Sequence, residues 1–203
     1  MPNKILQEGQ SYTFRSYFEM PYEADEILAE FGYSLTRSRL SLPIAPAIPE
    51  RLPELKQRLE ETLLLINLSN EAARREALVF PVLLEAARFC QCQIRIEYSL
   101  IVNNWLKGNL DYLLRRENTF LVIEAKNDDL SRGFTQLAVE LIALAQAEEQ
   151  TNLYGAVTIG DVWRFGRLDT QNHQIIQDIT LYRVPDDLEQ LMQILIGLIQ
   201  GDR

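Results

Sequence analysis

Asp111, Glu124 and Lys126 stand in two apolar runs, Gly108 to Leu114 and Phe120 to Lys126, that read as neighbouring strands. A charged side chain in such a run costs free energy unless it is paired or holds a metal. Alternation along a strand puts Glu124 and Lys126 on one face and Ile123 and Ala125 on the other, while the register of Asp111 stays open. Two carboxylates beside an ammonium suit a hard cation such as Mg²⁺, which prefers oxygen ligands and keeps several waters. The plainer alternative is a cross-strand ion pair of Lys126 with Asp111 or Glu124 that adds only local stability.

The elements that must carry these residues can be read outward from them. Ser69 is placed to cap a helix running to about Phe89, with Leu78, Val82, Leu83 and Ala86 on its apolar face. A strand follows over Gln93 to Val102, then a turn over Asn103 to Gly108, the Asp111 strand, a Glu117-Asn118 turn and the Glu124 strand. Ser131 opens a second helix to about Glu149, in which Phe134, Leu137, Leu141 and Leu144 face a core. Tyr154 to Ile159 is the next strand and forms a hairpin with Asp161 to Leu168, where Trp163 and Phe165 are expected in the core.

On the flanks, Ala24 to Phe31 is a short amphipathic helix and the Pro-rich Leu42 to Pro49 an extended connector. Leu52, Leu55, Leu59, Leu63 and Ile66 predict a helix, Ile179 to Val184 a strand, and Asp186 to Gln200 a C-terminal helix. The Leu188, Leu191, Leu195, Leu198 stripe on that last helix is core packing or, as the alternative, a homodimer face, a role open to the N-terminal helices as well.

Leu110-Asp111 followed by Glu124-Ala125-Lys126 resembles the signature of the PD-(D/E)XK nuclease superfamily, without the proline that gives the superfamily its name. Further matches are Glu71, Arg75 and Pro81 in Glu-x-x-x-Arg-x-x-x-x-x-Pro spacing, Gln136 on the next helix, and the segment Tyr154 to Phe165. Together they span Ser69 to Leu168 and are most similar to the N-terminal nuclease domains of type I restriction motor subunits and to small stand-alone relatives. The resemblance implies an α/β fold, an α+β mixed sheet with a restriction-endonuclease-like αβββαβ core. Residues 1–68 would be an extension packed on the core, and 69–203 the core with a C-terminal strand and helix.

It also implies roles. Asp111, Glu124 and the backbone carbonyl of Ala125 would hold Mg²⁺ or Mn²⁺, and Lys126 would orient the attacking water. Glu71 would assist from the first core helix, with Glu85, fourteen residues on, as the rival for that place. Against this, an acid in a helix's first turn is favoured by the macrodipole and could pair with Arg75 at i+4. Gln136 fits the second-helix glutamine, one turn from Glu140; an exposed solubilising side chain is the alternative. Lys107, Arg115, Arg116 and Arg132 are the candidates for phosphate contacts.

The bulk properties allow this reading without pointing to it. Twenty Lys and Arg against 29 Asp and Glu give a net charge of −9, and the absence of a basic block argues against a broad nucleic-acid surface. DNA binding is therefore expected to be weak and salt-sensitive. A hydrophobic share of 47% makes the chain globular. No apolar run reaches the ~18 residues of a membrane span, and MPNKILQEGQ does not read as a signal peptide, so a cytoplasmic location is expected. Cys90 and Cys92 lack the partners of a zinc site, His173 being the sole histidine, and read as half-buried thiols. Two functions follow: a metal-dependent endonuclease-like enzyme, or a nuclease-fold protein that works by binding another protein.

Overall fold

The computed structural model describes residues 5–201. Its centre is an eight-stranded mixed sheet: β1 (Ser34–Ser38), β2 (Gln93–Ile101), β3 (Lys107–Arg116), β4 (Thr119–Ala125), β5 (Asn152–Thr158), β6 (Val162–Asp169), β7 (Gln174–Asp178) and β8 (Tyr182–Arg183). The order across the sheet is β1-β7-β6-β5-β4-β3-β2, with β8 beside β6. β2, β3 and β4 form the expected antiparallel meander, β5 runs parallel to β4, and β6 returns antiparallel to β5.

Helices cover both faces, as a sheet with apolar residues on both sides requires. On one face lie α1 (Phe14–Glu19), α2 (Ala24–Glu30) and α6 (Leu130–Ala147), packed on Leu113, Val122 and Val157. On the other lie α3 (Leu52–Leu65), α5 (Phe80–Cys90) and α7 (Leu188–Gln200), packed on Leu114, Ile123 and Phe165. Trp163 and Phe165 are fully buried, as expected. The α7 stripe is core packing: Leu188, Leu191, Leu195 and Leu198 are all buried within the chain. Among the described residues no helix is long and apolar enough to cross a membrane.

The structure departs from the sequence expectations in several places. Asn70, not Ser69, caps the first core helix, its Oδ1 accepting from the Ala73 amide at 2.8 Å. That helix is not continuous. A one-turn α-helix, α4 (Glu71–Arg74), passes into a π-turn over Arg75–Val79 before α5 begins. Pro81 is the physical reason, because it has no amide to donate and its ring crowds the preceding turn. Asp129 caps α6, accepting from the amides of Ser131 and Arg132, so the helix starts at Leu130. Of the strand expected at 179–184 only the two residues of β8 pair, with Ile179 and Leu181 exposed, and β7, at 174–178, was not expected. Residues 1–68 do more than pack on the core: β1 joins the sheet edge, parallel to β7, and α1 and α2 lie against α6.

Candidate active site

β3 and β4 pair regularly up to Tyr112 opposite Ile123, and the ladder stops there. The next positions are Asp111 and Glu124. Asp111 takes over from the backbone: its Oδ2 accepts the Ala125 amide at 2.8 Å, so a side chain stands where a strand carbonyl would be. The alternation of β3 also breaks here. Leu110 and Tyr112, two residues apart, pack on opposite layers of the protein, which a regular strand would forbid. Across from Asp111 on β2, Glu97 has a left-handed backbone (φ 52°) and leaves a gap in the β2–β3 ladder between Ile96 and Tyr98. A non-glycine residue in that region is strained, and such distortions re-aim side chains.

The re-aimed side chains line a cleft of about 510 Å³ that contains Asp111, Glu124, Lys126, Glu71 and Gln136. The expected set is thus brought together. Lys126 Nζ lies 2.5 Å from Glu124 Oε1 and 5.0 Å from the centre of the Phe18 ring. Gly133 on α6 makes this packing fit: a Cβ there would come within 2.8 Å of Lys126 Cγ and 2.7 Å of Val157 Cγ2. Gln136 is buried, not exposed, and its Nε2 donates to Glu124 Oε1 at 2.7 Å and to Glu140 Oε1 at 2.8 Å.

Glu71 lines the cleft and Glu85 does not, which decides between the two helix carboxylates on position. Glu71 does not pair with Arg75, however. The Arg75 guanidinium sits 2.6 Å from Glu97 and 3.2 Å from Asp111, bridging carboxylates on adjacent strands. The expected phosphate contacts are mostly elsewhere. Arg115 and Arg116 sit at the β3–β4 hairpin end, Arg115 over the Phe120 ring at 5.1 Å, and Arg132 lines a different cleft. Lys107, at the start of β3, is not on the wall of the site either. Among the described residues the cations that do face it are Arg15, Arg75 and Lys126.

Sequence reasoning missed Glu97, Arg15 and Phe18, gave Arg75 a different partner and made no use of Glu140. Glu97 and Arg75 act as a pair that only the bent β2 explains. Arg15 and Phe18 come from α1, too short to show a period. Glu140 gave a signal that went unused: it is a carboxylate inside the apolar run Leu137 to Leu144, and it is fully buried. Glu124 Oε2, Gln136 Oε1 and Glu140 Oε2 are all buried with no hydrogen-bond donor among the described protein groups.

Burial pushes the Asp111 carboxyl above its ordinary value, partly offset by Arg75 and the Ala125 amide. Glu124 is pushed up to about 8, by burial first and then by Asp111, with Lys126 opposing. Burial and then Glu124 raise Glu140 well above the usual carboxylate range. For Lys126 burial works against the charge, but Glu124 and Asp111 outweigh it and the ammonium is stabilised. Glu124 and Glu140 titrate as a pair. Since Glu124 touches an ammonium and Glu140 has no cation of its own, the proton that the pair retains belongs on Glu140.

Among the described residues no group of three His, Cys, Asp or Glu side chains is arranged to hold a metal by itself. Mg²⁺ needs less, one or two carboxylates with carbonyl, water or phosphate oxygens. The bare Oε2 of Glu124, beside Asp111 in an open cleft, fits that requirement. No family model matches the chain, and no curated protein matches it.

Proposed function

We propose that the protein is a metal-dependent endonuclease-like enzyme that hydrolyses phosphodiester bonds of DNA, on a restriction-endonuclease-like core. The observation that carries this reading is the meeting of Asp111, Glu124 and Lys126 in one cleft where β3 and β4 part, with Glu71 and Gln136 reaching it from the helices. The order of helix, three-stranded meander, helix and parallel strand supports it.

Asp111, Glu124 and the Ala125 carbonyl would hold Mg²⁺ or Mn²⁺. Bound there, the cation would polarise the scissile phosphate and lower the pKa of an attacking water. Lys126, kept charged by Glu124 and Asp111, would orient that water and stabilise charge building on the phosphoryl oxygens. Gln136 would fix the Glu124 carboxylate by donating to Oε1, leaving Oε2 for the cation. Glu71, on the rim, would receive a further water ligand.

The test is incubation of purified protein with duplex, branched and single-stranded DNA at low salt with Mg²⁺ or Mn²⁺. Nicking is expected, and Asp111→Asn or Lys126→Ala should abolish it. Asp111→Asn is preferred to alanine because its amide oxygen can still accept the Ala125 N–H. Absence of cutting with every DNA form, or cutting that survives both substitutions, removes the reading.

The interaction-protein reading is favoured by one observation: Arg75 already occupies a place beside Asp111 where a cation would bind. A divalent titration separates the two, because a binding-only protein has no reason to hold the ion.

A further inference from the structure

A second cleft, of about 490 Å³, opens beside the first turns of α6, on the side away from Asp111. Its wall includes Arg164 on β6, Arg37 on β1, and Gln177 and Asp178 on β7 between them. Arg37 Nε donates to Gln177 at 3.0 Å. Arg164 has a buried Nε with no hydrogen-bond partner. Among the described residues neither guanidinium has a carboxylate within ion-pair distance.

Asp129 and Asp178 have other partners, although Asp178 Oδ2 is buried without one and its charge favours that of Arg164. Asp129 caps α6 and lies 3.6 Å from Arg132, and Asp178 Oδ1 accepts the amides of Leu40 and Thr180. Glu23 is exposed at the N-terminus of α2. Burial, then Arg37, work against the charged form of Arg164, so two like charges are held together at a cost that nothing in the cleft offsets fully. The amides of α6's first turn are taken by Asp129, so the arginines and not the helix end define the site.

The position relative to the candidate active site gives the cleft its meaning. Strand pairing places Glu124 opposite Val157, and Val157 opposite Arg164, so the three lie in one row across β4, β5 and β6. Adjacent strands are about 4.8 Å apart, which sets Arg164 about 10 Å from Glu124 along the row. That distance is short enough for one strand to present nearby phosphates to both places. The segment Thr13 to Ala24 lines both clefts in succession, its first half facing Asp111 and its second half facing Arg164.

We infer that Arg37 and Arg164 hold a backbone phosphate of the nucleic-acid strand whose scissile bond lies at Asp111 and Glu124. The inference rests on the nuclease reading and extends it to where the strand leaves the site. It also bears on the net charge of −9, because Arg37 and Arg164 form no ion pair among the described residues and are placed where a phosphate could be held.

The experiment compares wild type, Arg37→Gln/Arg164→Gln, and an Arg115→Gln/Arg116→Gln control at the distant hairpin. Binding of fluorescently labelled duplex and single-stranded DNA is measured by anisotropy in EDTA, across a salt series, so that no cutting is required. Loss of Arg37 and Arg164 should weaken binding on the order of tenfold or more and make the salt slope shallower by about 2. The control should bind as wild type does. In Mg²⁺ the same pair should raise KM with kcat kept. A thermal melt checks folding, and Arg164→Gln alone serves if the double variant is unstable, since it removes no internal hydrogen bond. Inorganic phosphate and pyrophosphate are the second arm. Equal DNA affinity of wild type and double variant overturns the inference while leaving the nuclease reading intact. Stabilisation of wild type by pyrophosphate without any DNA binding overturns it too, and makes the cleft a small-anion site. DNA binding that depends on the two arginines without any cutting supports the strand contact and sinks the nuclease reading alone.

Discussion

Replacing Glu140 with glutamine should stabilise the protein, by an amount that depends on pH. The carboxyl is fully buried, shares Gln136 with Glu124, and leaves Oε2 without a donor. Burial and Glu124 raise its pKa, so the folded chain holds a proton that the unfolded chain releases above the ordinary glutamate value. Folded binds more protons than unfolded, so stability from this pair is fully present below about pH 4.5 and is lost as pH rises through the folded pKa. Each pH unit between the unfolded and the folded value costs about 1.4 kcal/mol, and the folded value of Glu140 lies well above the usual carboxylate range. Glu140→Gln should recover up to the cost reached at pH 7, because its amide is neutral in both states and brings a donor to a cluster of bare acceptors. The assay is urea unfolding of wild type and variant from pH 4.5 to pH 8, compared as free energies in water. The difference should be near zero at the acid end and grow towards pH 8. A variant less stable at every pH, or a difference that does not change with pH, would refute the reasoning.

Mg²⁺ or Mn²⁺ titrated calorimetrically should bind wild type weakly and Asp111→Asn not at all, and DNA should tighten the ion by the same factor as the ion tightens DNA. Independent binding of the two would break the shared-site argument. Gly133→Ala should lower the melting temperature and the cutting rate, since overpacking against Lys126 and Val157 costs about 1–3 kcal/mol and exceeds the helix-propensity gain of about 1 kcal/mol; an alanine variant of unchanged stability and rate would show that α6 has room to move. Trp163→Ala should cost about 3–5 kcal/mol, because the indole is fully buried and its Nε1 donates to the Gly160 carbonyl; a loss under 1 kcal/mol by urea unfolding would argue against that packing.

The parts of the fold that were legible are those in which periodicity is sustained. β3, β4, α6 and α7 all bury a long apolar face, and each was readable to within a few residues. Short polar elements gave no such signal. β1 is Ser-Leu-Thr-Arg-Ser, five residues at the sheet edge with none fully buried, and it is held by pairing with β7 from 140 positions away. α1 has six residues, less than two turns. Helix starts slipped by one position where two good caps stand side by side, as Ser69 does with Asn70. The π-turn was written in Pro81, but the run of helix formers around it hid the break.

The site was legible for the reason that makes it reactive. Asp111, Glu124 and Lys126 interrupt apolar runs, and a charge kept in such a place has to be held by something. What holds each one could not be read from parity. Asp111 is fixed by a side-chain bond to the Ala125 amide, and that bond exists because β3 turns over its faces there. Arg75 reaches Asp111 through the π-turn that Pro81 imposes, and Glu97 reaches Arg75 through its left-handed backbone. The three distortions lie around one carboxylate. Each is a departure from regular geometry, and together they frame the point at which β3 and β4 part beside Glu124.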